Sequence, residues 1–383
     1  MTSAPTTEGH VAPPPRIEIE GPPEARGRQY GEQAGTLIAH GATFYQGLLE
    51  ARGLEWGAVM DTARVMLSRL EEVRPVQMTE IRAIAAGAGM DPAEVLLING
   101  RSEVLNAGTI DTKEREITAE DREALDDGCT AGVVLGERTA DGVLIHAQNW
   151  DWRPECAAFT VVLVVRREDG PDVMTFVEAG GLARAGMNSA GVAITGNNLS
   201  IEGESWEKPG IPLSIIRRLA LEAEGFSDSL GAVAQSPRSI ANNMTLSLSE
   251  AEGEIINLET TPAEVFWQVP ENGILTHANH FVTEAARAKI RDRGVVEGMN
   301  SLYRDRRLRL NLEKAGQKID VETFKTALAD KFGAPRGVLR WPQDSGTNRI
   351  SATVASIIMK PAERKMWVRQ QPYLPGDYAE YSF

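Results

Sequence analysis

The hydrophobic pattern changes its period at Cys129, and no other feature constrains the fold as much. Upstream, over residues 28–105, apolar side chains recur at helical spacing: Tyr30, Ala34, Leu37, Ile38, Phe44 and Leu48 form one stripe, and Val59, Met60, Ala63, Leu67 and Leu70 another. The segment "DPAE" predicts one more helix start, with Asp91 as cap, Pro92 in the first helical position and Glu94 closing a capping box. Downstream, "CTAGVVLG", "GVLIHAQNWDW", "AFTVVLVVRR" and "DVMTFVEAG" read as an antiparallel meander, its strands separated by turn signals such as "ADG" and "EDGPD". Helical patterns return at 213–223 and 227–235, and strands at "NMTLSLSE", "GEIINLET", "EVFWQV" and "ILTHA". A basic helical stretch at 282–331 precedes the closing strands "SATVASIIM" and "KMWVRQ". Helices and strands in separate runs predict an α+β fold, with antiparallel sheets covered by helices.

Composition excludes several functions. The most apolar windows, such as "FTVVLVV", are far shorter than the roughly 20 residues a bilayer demands, so no membrane partner is expected. A net charge of −14 argues against nucleic acid, whose binding draws on clustered Lys and Arg. The one basic run, "YRDRRLRLNLEK", reads as a solvated helix face. The opening "MTSAPTTEGHVAPPP" has neither a basic n-region nor an apolar h-region and reads as part of a disordered leader, residues 1–24. A cytoplasmic location is expected, with both cysteines, Cys129 and Cys156, reduced.

Cys129 follows a glycine and an acidic stretch and opens a strand, which admits two readings. It is a buried structural thiol, or it becomes a chain terminus. In the second case its thiol attacks the Gly128 carbonyl, the peptide shifts to a thioester, and hydrolysis leaves Cys129 with a free α-amino group. Glycine suits the position because it lacks a Cβ and tolerates strained backbone. An α-amine with a reference pKa of about 7.7–8.0 is partly neutral near physiological pH and can take the thiol's proton. One residue then supplies nucleophile and base.

The motifs "DDGCTAG", "AQNWDW", "MNSAGVAITGNNL" and "LTHANH", in that order, resemble the acyl-coenzyme A:6-aminopenicillanic acid acyltransferase (isopenicillin N acyltransferase) family of N-terminal nucleophile (Ntn) hydrolases. "ARGRQYGEQAG" and "EIRAIAAGAGMDPAEVLLINGRSE" are similar to its helical pro-region. The resemblance implies an αββα sandwich, self-cleavage at Gly128-Cys129, a pro-region over 25–128 and a catalytic domain over 129–383, the two fragments remaining together as a heterodimer. It implies Cys129 as nucleophile, Asp151 as the group that orients or charge-balances the new amine, and Asn279 as an oxyanion-hole donor. Thr195, Gly196 and Asn197 match a segment lining the family's site, where a backbone N–H is the expected second donor. Thr261 in "LETTP" stands where the family has a serine.

This sequence departs from the family at two further points. Ala147 replaces the glycine that opens the "GQNWD" motif, and Arg349 is displaced by one residue from the family's carboxylate-holding arginine, which in a strand reverses the face. His277 and His280, three apart with no further ligand spacing, make a poor zinc site, so no metal or other cofactor is expected. Three functions follow for testing: a hydrolase of linear, nonpeptide or small peptide-like amides, an acyltransferase using a coenzyme A thioester, and a noncatalytic binding protein on the same scaffold.

Overall fold

A computed structural model of the chain describes residues 11–107, 128–201, 210–250, 252–297, 299–342 and 351–383. Among the described residues, strand β1 (Arg16–Glu20) comes first, followed by helices α1 (Pro23–Glu50), α2 (Trp56–Val73), α3 (Pro75–Ala88), α4 (Pro92–Asn99) and α5 (Arg101–Ala107). Six strands follow: β2 (Gly128–Val134), β3 (Ile145–Trp152), β4 (Thr160–Arg166), β5 (Val173–Glu178), β6 (Ala185–Asn188) and β7 (Val192–Asn198). Helices α6 (Leu213–Glu222) and α7 (Phe226–Ala234) lead to β8 (Asn242–Leu248), β9 (Glu254–Thr260), β10 (Val265–Gln268) and β11 (Ile274–His277). The remainder comprises α8 (Glu284–Lys289), α9 (Arg293–Glu297), α10 (Asn300–Lys314), α11 (Val321–Leu328), β12 (Ala352–Lys360), β13 (Lys365–Gln370) and β14 (Ala379–Ser382).

The strands form two sheets, ordered β1-β4-β5-β6-β7-β8-β9-β10 and β11-β2-β3-β12-β13-β14. Alternation along β4 shows how they stack. Val161, Leu163 and Val165 join the cluster with α1, α3, α4 and α6, whereas Val162 and Val164 join Trp150, Ile357 and Met359 of the smaller sheet. Both faces of β4 are covered, so "FTVVLVV" is apolar without alternation. The outer face of the smaller sheet packs Val134, Ile145 and Ala147 against Leu308 and Leu312 of α10 and Phe324 of α11. The layers therefore run helix, sheet, sheet, helix, the expected αββα arrangement.

Local signals in the helical block hold. Asp91 and Glu94 form the capping box. The glycines of "ARGRQYGEQAG" let α1 lie directly on α3: a Cβ at Gly31 would stand 2.2 Å from the Ile84 carbonyl oxygen.

Two expectations are corrected. The leader does not extend through residue 24, because Arg16–Glu20 pairs in parallel with β4, its Ile17 and Ile19 entering the core; the leader's residues 1–10 lie outside the described residues. The four strands after Cys129 are not one meander, since β2 and β3 belong to the smaller sheet and the short helical turn Pro154–Phe159 carries the chain across to β4. No described helix is long and apolar enough to cross a membrane.

Candidate active site

Cys129 lies at the start of β2, opposite Trp150, with Gly128 opposite Asp151. The pleat sends Cys129 and Trp150 into the space between the sheets. Asp151 points to the other face, where it is fully buried and its Oδ1 accepts a hydrogen bond from the Thr353 hydroxyl at 2.7 Å. Its Oδ2 lies on the side of Gly128 where a side chain would project. Thr353 precedes a bulge in the β3–β12 pairing, and such irregularities re-aim side chains beside them.

The absence of a side chain at residue 128 is steric. An added Cβ would stand 2.7 Å from Arg340 Nη2 and 2.9 Å from Asp151 Oδ2. Arg340 is itself buried, 3.6 Å from Asp151 through Nε, and donates through Nη2 to Asn300 Oδ1 at 3.1 Å.

Asn279, on the loop after β11, reaches the backbone of Cys129. Its Oδ1 accepts the Cys129 N–H at 2.7 Å, while its Nδ2 donates to the Asn198 carbonyl at 2.9 Å. The loop is pinned from several sides. Ser301 Oγ accepts the Asn279 N–H at 2.7 Å and lies 2.8 Å from His280 Nδ1. Glu259 accepts N–H groups from Val282 and Thr283 and holds His277 Nε2 at 2.9 Å. Burial alone would lower the His277 pKa, but Glu259 outweighs it and raises it; burial and the His277 charge take His280 down to about 4. Both imidazoles thus serve the loop.

The basic run of α10 is not a uniformly solvated face. Arg304 is 1 % exposed. It donates to the Cys129 carbonyl at 2.6 Å, to Thr130 Oγ1 at 2.9 Å and to Asn279 Oδ1 at 2.9 Å. The run's other arginines that pair with carboxylates, Arg307 and Arg309, are partly exposed. Spacing carried the signal, because Ser301, Arg304, Leu308 and Leu312 share one buried helical stripe.

The weaker sequence candidates divide. Asn197 is buried near the site, its Nδ2 donating to the His277 carbonyl at 3.1 Å. Gly196 has no room for a Cβ because Arg217 Nη2 would lie 2.6 Å away. Burial pushes the Arg217 pKa down to about 10, a shift that Arg184 increases and Cys129 opposes. Thr195 is bound to His146 Nε2 at 2.8 Å, and Thr261 accepts N–H groups of its own turn from Ala263 and Glu264. Arg349 lies outside the described residues. Sequence reading missed Arg304, Arg340, Arg217, Ser301 and Thr353.

An acyl-coenzyme A:6-aminopenicillanic-acid-acyltransferase (40 kDa form) of Emericella nidulans is 28% identical over 269 residues, covering 69% of this chain and 68% of its own. Among solved structures, a conjugated bile acid hydrolase from Clostridium perfringens superposes with a TM-score of 0.42 at 13% identity, over 66% of this chain and 92% of that one. A penicillin V acylase from Agrobacterium tumefaciens gives 0.42 at 12% identity, over 66% and 86%. The profile of the acyl-coenzyme A:6-aminopenicillanic acid acyl-transferase family matches residues 138–371, and the chain belongs to that family.

Proposed function

We propose that the protein is a self-processing cysteine Ntn hydrolase of linear, nonpeptide or small peptide-like amides. The observation that carries this reading is the contact of Asn279 with the backbone nitrogen of Cys129, at a junction where residue 128 has no space for a side chain. In processing, Cys129 Sγ bonds to the Gly128 carbonyl carbon, the Gly128–Cys129 C–N bond breaks, and the thiol proton passes to the departing nitrogen. Water then cleaves the thioester, giving a Gly128 carboxylate, a free thiol and the Cys129 α-amine. In turnover the amine takes the thiol proton, Sγ attacks the substrate carbonyl, and Asn279 Nδ2 donates to the developing oxyanion, a contribution of about 3–4 kcal/mol. The proton goes to the leaving amine, and water clears the acyl-enzyme. Asp151 orients the α-amine from the opposite face of the sheet.

Two buried ion clusters support retention of the N-terminal fragment as a partner. Arg26 and Glu80 meet Arg218 and Glu222, and Arg101 and Tyr45 meet Glu178. A cytoplasmic location suits the two free thiols.

Acyl transfer is the second reading, favoured by the relative from Emericella nidulans. It differs only in what clears the acyl-enzyme, an amine or a thiol in place of water. Intact-mass measurement of purified protein, followed by a screen of amides with and without acyl-coenzyme A donors, tests both. Fragments of 1–128 and 129–383 with amine release from an amide alone support hydrolysis. Turnover that demands a second acyl acceptor supports transfer, and an intact, active chain sinks the mechanism.

A further inference from the structure

The contacts of Arg304 have a consequence for how Asn279 can work. A side-chain amide has two orientations, related by a flip that exchanges oxygen and nitrogen, and only its hydrogen-bond partners choose between them. Here Oδ1 faces two groups that can only donate, the Cys129 N–H at 2.7 Å and Arg304 Nη2 at 2.9 Å. Nδ2 faces a group that can only accept, the Asn198 carbonyl at 2.9 Å. A flip would set an NH₂ against two donors and an oxygen against a carbonyl.

Cleavage changes this balance. Once the Gly128–Cys129 bond is cut, the nitrogen of Cys129 is an amine, which in its neutral form carries a lone pair as well as hydrogens. It no longer discriminates between Oδ1 and Nδ2. Arg304 remains as the donor-only partner on the oxygen side. Its guanidinium is well placed to hold still, since Nε donates to Asn300 Oδ1 at 2.9 Å and Nη1 donates to both the Cys129 carbonyl and Thr130 Oγ1. Asn300 Oδ1 also accepts from Arg340, which ties the Asn279 end of the site to the Asp151 end.

We propose that Arg304 is a positioning residue that locks the Asn279 amide, so that Oδ1 accepts a hydrogen from the Cys129 amine and the free Nδ2 hydrogen faces the oxyanion. The inference rests on the proposed function and adds a residue to it. With the amide so fixed, a neutral amine that gives a hydrogen to Oδ1 keeps its lone pair for the thiol proton. One guanidinium thereby sets both the base and the oxyanion donor.

The test is a double-mutant cycle on the cleaved enzyme, with p-nitrophenyl acetate as acyl donor, Cys129→Ala as the blank and the first-turnover acylation rate as the readout. Arg304→Lys keeps a buried cation but cannot span the Cys129 carbonyl, Thr130 and Asn279 together. It should lower the acylation rate roughly 10- to 100-fold with KM little changed, less than the roughly 10² to 10³ lost when an oxyanion donor itself is removed. In an Asn279→Ala background the same substitution should cost much less than it does alone, because the residue through which it acts is gone. Losses that multiply, or a wild-type rate in Arg304→Lys, would overturn the lock. A wild-type rate in Asn279→Ala would instead remove the oxyanion assignment under it. Should Arg304→Lys stay uncleaved, the cycle is read on fragments 1–128 and 129–383 co-expressed as separate chains, the initiator methionine removed so that Cys129 is the first residue, with the same two outcomes.

Discussion

Cys129 and Cys156 are both buried free thiols, and burial does not tell them apart. Their neighbours do. Around Cys129, Asn279 and Arg304 hold the backbone N–H and carbonyl of the cysteine itself, and Arg340 and Asp151 close against the preceding glycine. Around Cys156, the polar groups hold one another: Tyr45 and Arg101, from the N-terminal helices, and Arg184 all converge on Glu178, and the thiol only touches Tyr45 Oη at 3.7 Å. Burial pushes the Cys156 thiol pKa well above its ordinary value, and the Glu178 charge adds to the shift. The first cluster is directed at the cysteine's own peptide group, where the proposed self-processing would act. The second is directed past its cysteine and marks a seam between segments.

The largest effect that could break this distinction belongs to Cys129→Ala, which should abolish both self-cleavage and amide turnover. Chain sizes by mass spectrometry and amine release check the two separately. Scission at Gly128 in this variant would make the thiol structural and leave the two cysteines alike.

Next in size is Glu178→Gln, which tests the seam. Burial by itself would raise the Glu178 pKa, but the charges of Arg101 and Arg184 outweigh it and leave the carboxyl below its usual range. Removing one partner of such a buried cluster costs about 3–5 kcal/mol. The variant should therefore lose its N-terminal fragment more readily after cleavage, as read by native mass spectrometry. The pH dependence follows from the same shift. A carboxyl with a depressed folded pKa contributes stability that is present above its unfolded value, about 4.3, and is lost as pH falls through the lower folded value. Fragment retention in the wild type should weaken on acidification below that range, and the Gln variant should lack this component. Equal retention in both proteins across pH would show that the seam lies elsewhere.

Gly128→Ala separates junction from enzyme. The new Cβ would meet Arg340 and Asp151 below 3 Å, and forcing such overpacking costs about 1–3 kcal/mol. Self-cleavage should slow roughly 10- to 100-fold, since about 1.4 kcal/mol corresponds to a factor of ten. Once cut, the fraction processed should turn over normally, because residue 128 no longer precedes the amine. Cleavage at the wild-type rate would mean that the close approach of Arg340 has no part in the reaction.

The sequence revealed the junction more readily than its surroundings. Gly128, Cys129, Asp151 and Asn279 sit in short ordered motifs, and the capping box at Asp91 is entirely local, so both were legible from neighbouring residues. Arg304 was not, because a charged residue in a basic run is ordinarily solvated, and its burial depends on Cys129 and Asn279, which meet it only in the fold. The helical stripe from Ser301 to Leu312 contained the hint. Sheet membership was equally hidden, since β3 and β4 have the same strand character and only tertiary packing decides that the turn at Pro154 passes between layers. The parallel pairing of β1 depended on a partner strand about 146 positions away.

Cys156→Ala should have the smallest effect, and it is the control on which the comparison depends. The substitution removes one buried sulfur atom and leaves Glu178 with Tyr45, Arg101 and Arg184. Loss of a buried group of this size costs about 1 kcal/mol, a shift of a few degrees at most in the thermal midpoint of a chain this long. Scission at Gly128 should proceed as in the wild type, because no contact of Cys156 reaches the Gly128–Cys129 junction among the described residues. The thiol's raised pKa gives a second measurement: at neutral pH iodoacetamide should alkylate the folded wild type at Cys129 and leave Cys156 unmodified until the protein is unfolded. Slowed cleavage in Cys156→Ala, or alkylation of Cys156 before Cys129, would mean that the two thiols are coupled and that the seam belongs to the active site.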